Sequence, residues 1–214
     1  LLNKRGVQVI QGSAAFSGIK ELTVTQKDGT KSVLAAESII IAAGSESARP
    51  PIPGLDGKNV ITSTEALNVE SLPKSLAIIG GGVIGMEIGS TYAKFGVEVT
   101  VLEALPHIVP SIDTDVREVL LHTSEKIMTI ETGAMVKEIQ DADNQKKVVY
   151  ETQGERRECC AEKVMVCVGR CPNTKKLGLE TAGIQVNKRG YIQVNSHYET
   201  TAPGVYAIGD VNGQ

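Results

Sequence analysis

The first fifty residues alternate apolar and polar side chains with the period of two that is typical of β-strands. Two such runs, residues 21–26 and 32–34, flank the dipeptide Asp28-Gly29, and an Asp-Gly pair at such a place is a strong signal for a tight hairpin. An earlier short apolar run, residues 7–10, lies between Gly6 and Gly12. We therefore predict a strand over residues 7–10 followed by an antiparallel hairpin.

A continuous apolar run over residues 39–43 ends at Gly44. A run of this kind is typical of a strand that is buried on both faces. Three prolines follow within residues 50–53, and each removes a backbone donor and restricts the residue before it. This segment therefore predicts a linker or crossover rather than a helix or a central strand.

The middle of the chain changes from the strand period to the helical period and back. The apolar run of residues 76–79 leads directly into a glycine-rich segment, and residues 98–102 form a second β-rich run that ends in Glu103. Between them, residues 83–95 predict a helix that Gly96 ends. Its apolar face is predicted from side chains at helical spacing: Ile84, Ile88, Tyr92 and Phe95.

Further elements follow this unit. A second helix is predicted to begin near Asp113 and to direct Val116, Val119 and Leu120 toward the core. Short strands are predicted at residues 129–131, 135–139, 147–151 and 163–168. Strand–helix–strand followed by a β-meander is the order of a Rossmann-type nucleotide domain, so we predict an α/β fold with a parallel sheet plus a β-meander.

The glycine-rich segment has the spacing G-x-G-x-x-G, with Gly80, Gly82 and Gly85 placed between a predicted strand and a predicted helix. In this context the first glycine allows a sharp turn, the second lets a diphosphate approach the backbone, and the third lets the helix pack on the strand. Glu103 stands at the end of the second strand, where a carboxylate accepts hydrogen bonds from both ribose hydroxyls. The alternative is a glycine-rich turn with an incidental surface acid. The order of strand, loop, helix, strand and acid favours the dinucleotide site.

The same acid favours NAD over NADP. A carboxylate repels the 2′-phosphate of NADP, and an NADP site normally places Arg or Lys at this point. The next arginine after Glu103 is Arg117, and His107 carries a positive charge only weakly near neutral pH. We therefore predict NAD(H) as the nucleotide.

Composition narrows the class of protein. The chain has 214 residues, with 22 Lys and Arg against 25 Asp and Glu, and a formal net charge of −3. This balance gives no basic field for nucleic acid, and no apolar run is long enough to span a membrane or to form a secretory signal. The cysteines cluster within residues 159–171, which is unlike a secreted disulfide framework, so we predict a reducing, cytoplasmic location.

Two interpretations of these cysteines are open. A zinc site would use Cys159, Cys160, Cys167 and Cys171, but neighbouring residues of a strand point to opposite faces and the spacing matches no usual zinc pattern. The interpretation that we favour is a buried thiol at Cys167, which lies in an apolar strand, and an exposed one at Cys171. We therefore predict no metal site in this chain.

Several segments in a fixed order resemble the flavoprotein disulfide reductases, also called pyridine nucleotide-disulfide oxidoreductases, and most closely their dihydrolipoamide dehydrogenase branch. Residues 78–87 (IIGGGVIGME) and 99–103 (VTVLE) resemble the family's NAD-binding segment. Residues 40–45 (IIAAGS) resemble its "ATGS" crossover, and residues 63–67 (STEAL) resemble the start of its NAD domain. Residues 168–174 (VGRCPNT) are similar to its "VGRxPNT" return, and residues 205–210 (VYAIGD) to the strand whose aspartate meets the flavin.

The resemblance implies roles for individual residues. The implied NAD contacts are Gly80, Gly82, Gly85 and Glu103, with Ala134 or Val136 on the adenine side and Gly169 on the nicotinamide side. Glu87 matches a glutamate close to the nicotinamide, although an acid in the first helical turn is favourable through the helix dipole alone. The implied FAD contacts are Gly12, Ala14, Ala43, Gly44, Ser45 and Asp210. Ala43 replaces the family's usual threonine, which removes one hydroxyl contact.

The resemblance also implies three parts: residues 1–64 as a partial FAD-domain β-meander and crossover, 65–195 as the NAD-binding domain, and 196–214 as a partial return to the FAD domain. In the family, electrons pass from a dithiol to a cysteine pair at C-x4-C spacing, then through FAD to NAD, with a His-x4-Glu pair as the base. Neither spacing occurs in this sequence, and the chain begins with Leu1. We therefore expect an interior segment of a dihydrolipoyl dehydrogenase-like enzyme that binds NAD(H) and is inactive alone.

Two alternatives stay open. A mercuric, CoA-disulfide or transhydrogenase-type flavoenzyme shares every motif in this sequence. A standalone NAD-binding regulatory module needs no flavin, but the strands before Pro50 and the segment after Thr201 have no use in it. The resemblance further implies a homodimeric parent enzyme that associates with a lipoyl-bearing complex.

Overall fold

The computed structural model describes residues 2–214. Within them, the α-helices are α1 (Ser63–Ala66), α2 (Val83–Lys94) and α3 (Thr114–Ser124), and short 3-10 helices lie at Asn3–Arg5, Leu179–Ala182 and Gly209–Val211. The strands are β1 (Ser13–Gly18), β2 (Glu21–Thr25), β3 (Lys31–Ala35), β4 (Ile39–Ile41), β5 (Ser45–Ser47), β6 (Val60–Ile61), β7 (Ser75–Ile79), β8 (Glu98–Glu103), β9 (Thr129–Thr132), β10 (Met135–Ala142), β11 (Gln145–Thr152), β12 (Glu155–Ala161), β13 (Lys163–Val166), β14 (Arg170–Pro172) and β15 (Val205–Ala207). In this part of the chain, no helix has both the length and the apolar character needed to cross a membrane.

The chain forms two compact units, named here by their place in the sequence. The central unit is Ser47–Arg170, and the flanking unit combines the residues up to Glu46 with Cys171–Gln214. These limits differ from the predicted boundaries at residues 64/65 and 195/196. The central unit begins before residue 65 because β6 pairs with β13 in its sheet. The central unit ends before residue 195 because Leu179, Ile184 and Ile192 are buried in the core of the flanking unit.

The central unit is built on a parallel sheet with the strand order β6-β13-β7-β8-β9. Alternate residues of β7 enter two different cores, so this strand is buried on both faces. Leu76 and Ile78 pack in one cluster with the buried face of α2. Ala77 and Ile79 pack in the other with the antiparallel meander β10-β11-β12. This arrangement confirms the predicted α/β fold with a parallel sheet plus a β-meander.

Both predicted helices are present, but part of the predicted apolar face of each is wrong. Phe95 is 67% exposed because it is the C-cap of α2, where the backbone leaves the helical path. Helix α3 begins after its N-cap Asp113, as predicted. Val116 and Val119 are 58% and 69% exposed, because the helix contacts the core through Leu120 and the next leucine instead.

The strand predictions also need three corrections. Residues 7–10 form no strand, and the first strand is β1. In β4 the central residue Ile40 is 64% exposed while its two neighbours are buried, so this strand is not buried on both faces. Strand β12 was not predicted, because its charged sequence ERRECCA lacks an apolar alternation. It exists because it pairs along its whole length with β11.

The flanking unit contains an antiparallel sheet, β1-β2-β3, and the parallel pair β4 and β15. The predicted hairpin is confirmed: β2 and β3 are antiparallel, with Asp28-Gly29 in the turn between them. The parallel register pairs Ile39 with Val205 and Ile41 with Ala207. The carboxyl ends of β4 and β15 therefore lie side by side, although about 165 residues separate them in the chain.

Candidate functional site

A cavity of about 600 Å³ opens at the carboxyl ends of β7, β8 and β13 in the central unit. Its volume lies within the range that is usual for sites that bind small molecules and cofactors, and its position agrees with the rule that open α/β sheets bind ligands beyond the carboxyl ends of their strands. The cavity collects residues that the sequence predicts for one nucleotide: Gly80, Gly82, Glu103, Ala134, Val136 and Gly169.

The three motif glycines occupy different environments. Gly80 has a φ of +110°, and a Cβ there would lie 2.6 Å from the carbonyl oxygen of Cys167. Gly82 is the N-cap of α2, and a Cβ there would meet nothing within 4 Å. Gly85 is buried, and a Cβ there would lie 2.1 Å from the carbonyl oxygen of Gly80. The loop thus needs its first glycine for the turn and its third for close packing, while the second leaves open space before the helix N-terminus.

The carboxylate of Glu103 lies at the wall of this cavity and is only 8% exposed. Its Oε2 accepts a hydrogen bond from the amide of Gly81 at 2.6 Å, and its Oε1 accepts one from the amide of Leu105 at 2.7 Å. An ionised carboxylate has about four acceptor positions, so each oxygen can accept one further donor. Among the described residues that line the cavity, Glu103 is the only charged one. The cavity therefore offers a fixed anionic acceptor without a neighbouring cation.

The residues predicted for the adenine and nicotinamide sides also border the cavity. Ala134 and Val136 are buried, and the amide of Ala134 donates to the carbonyl of Glu103 at 2.8 Å. Gly169 has a φ of +130°, and a Cβ there would meet nothing within 4 Å. These residues approach the loop from β10 and from the chain after β13, so they give the cavity a mainly apolar lining.

Glu87 lies elsewhere. It is exposed on α2 and lines a second cavity of about 520 Å³ in the central unit, together with Thr64, Thr91 and Arg170. Only Ile84 lines both cavities among the residues described for them. The structure thus separates Glu87 from the group that surrounds Glu103.

The residues implied for FAD contacts lie in the flanking unit, and some of them meet. Gly44 has a φ of +67°, and the hydroxyl of Ser45 donates to Oδ2 of Asp210 at 2.6 Å. The carbonyl of Ala43 accepts a hydrogen bond from Nδ2 of Asn173 at 2.9 Å. The parallel pair β4 and β15 causes this meeting, because both segments follow the carboxyl ends of these strands.

Gly12 and Ala14, the first two residues implied for FAD contacts, have local structural roles. A Cβ at Gly12 would lie 2.7 Å from the carbonyl oxygen of Thr25, so close packing on β2 accounts for this glycine. Ala14 is partly buried in β1 and pairs with Val24.

Sequence reasoning missed several residues that line the first cavity, among them Met135 and Cys167. Met135, the first residue of β10, is half exposed and lines the cavity. Cys167, which the sequence predicts as a buried thiol, is only partly buried; it lines the cavity, and its Sγ donates to the carbonyl of Gly80 at 3.2 Å. The chain after β13 meets the glycine loop only because of the strand order in the sheet. No local sequence pattern therefore predicts the contact between Cys167 and this loop.

The four cysteines are free thiols in different surroundings. Burial, and then the charge of Glu103, raises the pKa of Cys167 to about 12. Burial also raises the pKa of Cys159 to about 11, whereas its neighbour Cys160 is exposed on the opposite face of β12. Within the described residues, no group of three or more potential ligands is arranged to hold a metal ion.

These thiols should react at two different rates with iodoacetamide at pH 8. Cys160 and Cys171 are exposed and should be alkylated rapidly. Cys159 and Cys167 should be alkylated slowly, because a raised pKa keeps the thiol protonated and only the thiolate is a good nucleophile. Mass spectrometry of peptides after a short reaction checks this, with the protein unfolded in guanidinium as the control in which all four react. Rapid alkylation of Cys167 in the folded protein would contradict its partial burial and its raised pKa.

Comparisons with known proteins agree with one another. Residues 1–214 match the family described as pyridine nucleotide-disulphide oxidoreductase. The chain is 41% identical to a dihydrolipoyl dehydrogenase of Thermus scotoductus over 216 residues, which cover 99% of this chain and 45% of that protein. It is 37% identical to a dihydrolipoyl dehydrogenase of Trypanosoma brucei brucei over 216 residues, with the same two coverages.

Solved structures give the same result. The chain is similar to the HOCl-induced flavoprotein disulfide reductase RclA from Escherichia coli in its Cu(II) complex, with a TM-score of 0.92 and 35% identity. This match covers 100% of the present chain and 48% of that chain. The chain therefore spans about half the length of the relatives that it matches.

Proposed function

Because the chain belongs to the pyridine nucleotide-disulphide oxidoreductase family, we propose that its central unit is the NAD-binding part of a dihydrolipoyl dehydrogenase-like oxidoreductase. One observation carries this proposal: the buried carboxylate of Glu103 faces a cavity that also contains the open backbone at Gly82. A fixed anionic acceptor beside a helix N-terminus suits a ribose diol followed by a diphosphate.

The proposed binding mode assigns a task to each part of the cavity. The diphosphate lies over Gly82, where a helix N-terminus without a side-chain cap offers backbone donors and a partial positive charge. Glu103 accepts hydrogen bonds from the two hydroxyls of the adenosine ribose. The apolar wall that includes Ala134 and Val136 excludes water from the adenine, and Gly169 leaves room for the nicotinamide end. Glu87 then acts at the second cavity, close to the nicotinamide.

The lining of the cavity around Glu103 supports NAD(H) rather than NADP(H) as the nucleotide, because it contains no Lys, Arg or His among the described residues. A 2′-phosphate at the ribose would place about two negative charges against a buried carboxylate whose other neighbours are backbone amides and apolar side chains. Such a pair of like charges in a poorly hydrated site is strongly unfavourable.

Features of the flanking unit favour the proposal that it contributes part of a site for FAD. The hydrogen bond from Ser45 to Asp210, beside the left-handed turn at Gly44, presents polar groups at one edge of a parallel strand pair. We propose that these groups meet the hydroxylated chain of the flavin, with Gly12, Ala14 and Ala43 as further contacts. When bound, FAD and NAD supply electron and hydride transfer. In this proposal the residues of this chain hold and orient both cofactors. The sequence contains neither the C-x4-C nor the His-x4-Glu spacing.

For the whole enzyme we propose oxidation of a dihydrolipoyl dithiol with reduction of NAD. The identities of 37% to 41% with dihydrolipoyl dehydrogenases support this substrate. We further propose that the parent enzyme is a cytoplasmic homodimer that serves a lipoyl-bearing complex. The full-length parent protein should reduce NAD with dihydrolipoamide. Reduction of mercuric ion or of CoA disulfide in its place would instead assign the parent to one of the related flavoenzyme classes.

Nucleotide binding by this chain is tested by titration with NADH and with NADPH, followed by the fluorescence of the reduced nicotinamide. We expect NADH to bind at least about tenfold more tightly, since loss of one hydrogen bond to a charged group and a like-charge contact together exceed about 1.4 kcal/mol. Equal binding of the two nucleotides, or binding of neither, would overturn the proposed role of the central unit.

A further inference from the structure

The glycine loop lies between two polar side chains that belong to neighbouring strands. In the sheet order, β7 lies between β13 and β8. Cys167 follows β13 directly, Glu103 is the last residue of β8, and the Gly80–Gly81 peptide follows β7. The carboxyl ends of three parallel strands thus align a thiol, a peptide group and a carboxylate in one row.

Both polar atoms of this one peptide group are engaged. Sγ of Cys167 donates to the carbonyl oxygen of Gly80 at 3.2 Å, with the carbonyl oxygen of Ile79 as a longer alternative acceptor at 3.5 Å. The amide of Gly81 donates to Oε2 of Glu103 at 2.6 Å. The carbonyl and the amide of a trans peptide lie in one plane and point in opposite directions. A rotation of this plane that breaks the thiol contact therefore also moves the donor that holds Glu103.

We propose that Cys167 is a positioning residue for the nucleotide site, which orients the Glu103 carboxylate through the Gly80–Gly81 peptide. This inference rests on the proposed binding of NAD(H) by the central unit. Its consequence is that loss of the thiol donor weakens NADH binding although Cys167 itself does not contact the ribose.

The surroundings of Cys167 support this role. The amide of Cys167 donates to the carbonyl of Ile79 at 2.9 Å, which fixes its backbone against the strand that leads into the loop. Its Sγ would lie 3.0 Å from a Cβ at Gly85, so the thiol packs directly under the loop. Burial and the charge of Glu103 raise the pKa of Cys167 to about 12, so the thiol stays protonated and remains a donor at neutral pH.

The test uses Cys167→Ala and Cys167→Ser in two backgrounds, the wild type and Glu103→Gln. Cys167→Ala should weaken NADH binding about three- to fivefold in the wild type, the usual effect of one neutral hydrogen bond. Cys167→Ser keeps a donor and should bind NADH within about twofold of the wild type. In the Glu103→Gln background, Cys167→Ala should have no further effect on NADH binding, because the group through which it acts has been changed.

Cys159→Ala is the matched control, since Cys159 is also an enclosed thiol of the central unit but packs in the cluster under the meander. It should leave NADH binding unchanged. If Cys167→Ala does not fold, Cys167→Val, which also has no donor, takes its place. The NMR signal of the Gly81 amide proton should shift in Cys167→Val and should stay near its wild-type position in Cys167→Ser and in Cys159→Ala.

The outcomes separate this inference from the function on which it rests. Equal weakening by Cys167→Ala in both backgrounds, or no weakening in either, would show that the thiol contributes packing alone and would overturn the inference. An unshifted Gly81 amide in Cys167→Val would also overturn it. In those cases NADH binding by the wild type, and its loss in Glu103→Gln, still support the proposed function. Failure of the wild type to bind NADH would overturn both.

Discussion

The variant Glu103→Gln should bind NADH about ten- to hundredfold more weakly than the wild type. The ionised carboxylate of Glu103 would accept hydrogen bonds from two ribose hydroxyls, and hydrogen bonds to a charged group contribute about 1.5–3 kcal/mol. Glutamine retains the length of the side chain, but its amide nitrogen must face one of the two backbone donors, Gly81 or Leu105, that now hold the carboxylate. The binding constant for NADH, measured by fluorescence titration, checks this result.

The same variant should lose the preference for NADH over NADPH, because the negative charge that repels the 2′-phosphate is removed. Glu98→Gln is the matched control: Glu98 is an exposed glutamate at the other end of β8, and its replacement should leave both affinities unchanged. Unchanged NADH binding in Glu103→Gln would show that the carboxylate serves only to hold the loop.

A second pair of variants should separate binding from stability within the glycine motif. Gly85→Ala should lower the free energy of unfolding by about 3 kcal/mol, because its Cβ would lie 2.1 Å from the backbone carbonyl of Gly80, which cannot move without shifting the loop. Gly82→Ala should change stability by less than about 1 kcal/mol, because Gly82 has a negative φ at the N-cap and a Cβ there meets open space.

The binding effects of these two substitutions should differ as well. In Gly82→Ala the added methyl group occupies the space where the diphosphate would approach the helix N-terminus, so NADH binding should fall by more than about tenfold although the protein stays folded. Urea unfolding and NADH titration of both variants check these expectations. Normal NADH binding by Gly82→Ala would mean that the nucleotide does not lie over this loop.

Local signals predicted the part of the site that local geometry builds. The strand β7, the glycine loop, the helix α2 and the strand β8 follow one another in the chain, and the predicted order is the observed one. Burial was predicted less well. Val119 has the right spacing for a buried helical face, yet it is exposed, because the spacing does not say how a helix is rotated against its neighbours. Phe95 is exposed because the helix ends before it, and the spacing does not give that end either.

Partners remote in the chain explain the other differences. Strand β12 carries few apolar residues and forms because β11 offers it a full set of backbone partners. The segment after residue 170 packs in the flanking unit through Leu179 and Ile192, although it directly follows strands of the central unit. Such pairings depend on which surfaces meet in three dimensions, and no window of sequence contains both members.

By itself, the sequence determined the strand–loop–helix–strand unit and the spacing of Gly80, Gly82, Gly85 and Glu103, since a positive φ, an open N-cap and a strand end are properties of adjacent residues. Only the tertiary structure decided that Cys167 lies against the Gly80 carbonyl, that Ser45 bonds to Asp210, and that Glu87 borders a different cavity from Glu103. The reason is the lateral order of parallel strands, which brings together the ends of segments that the chain itself keeps far apart.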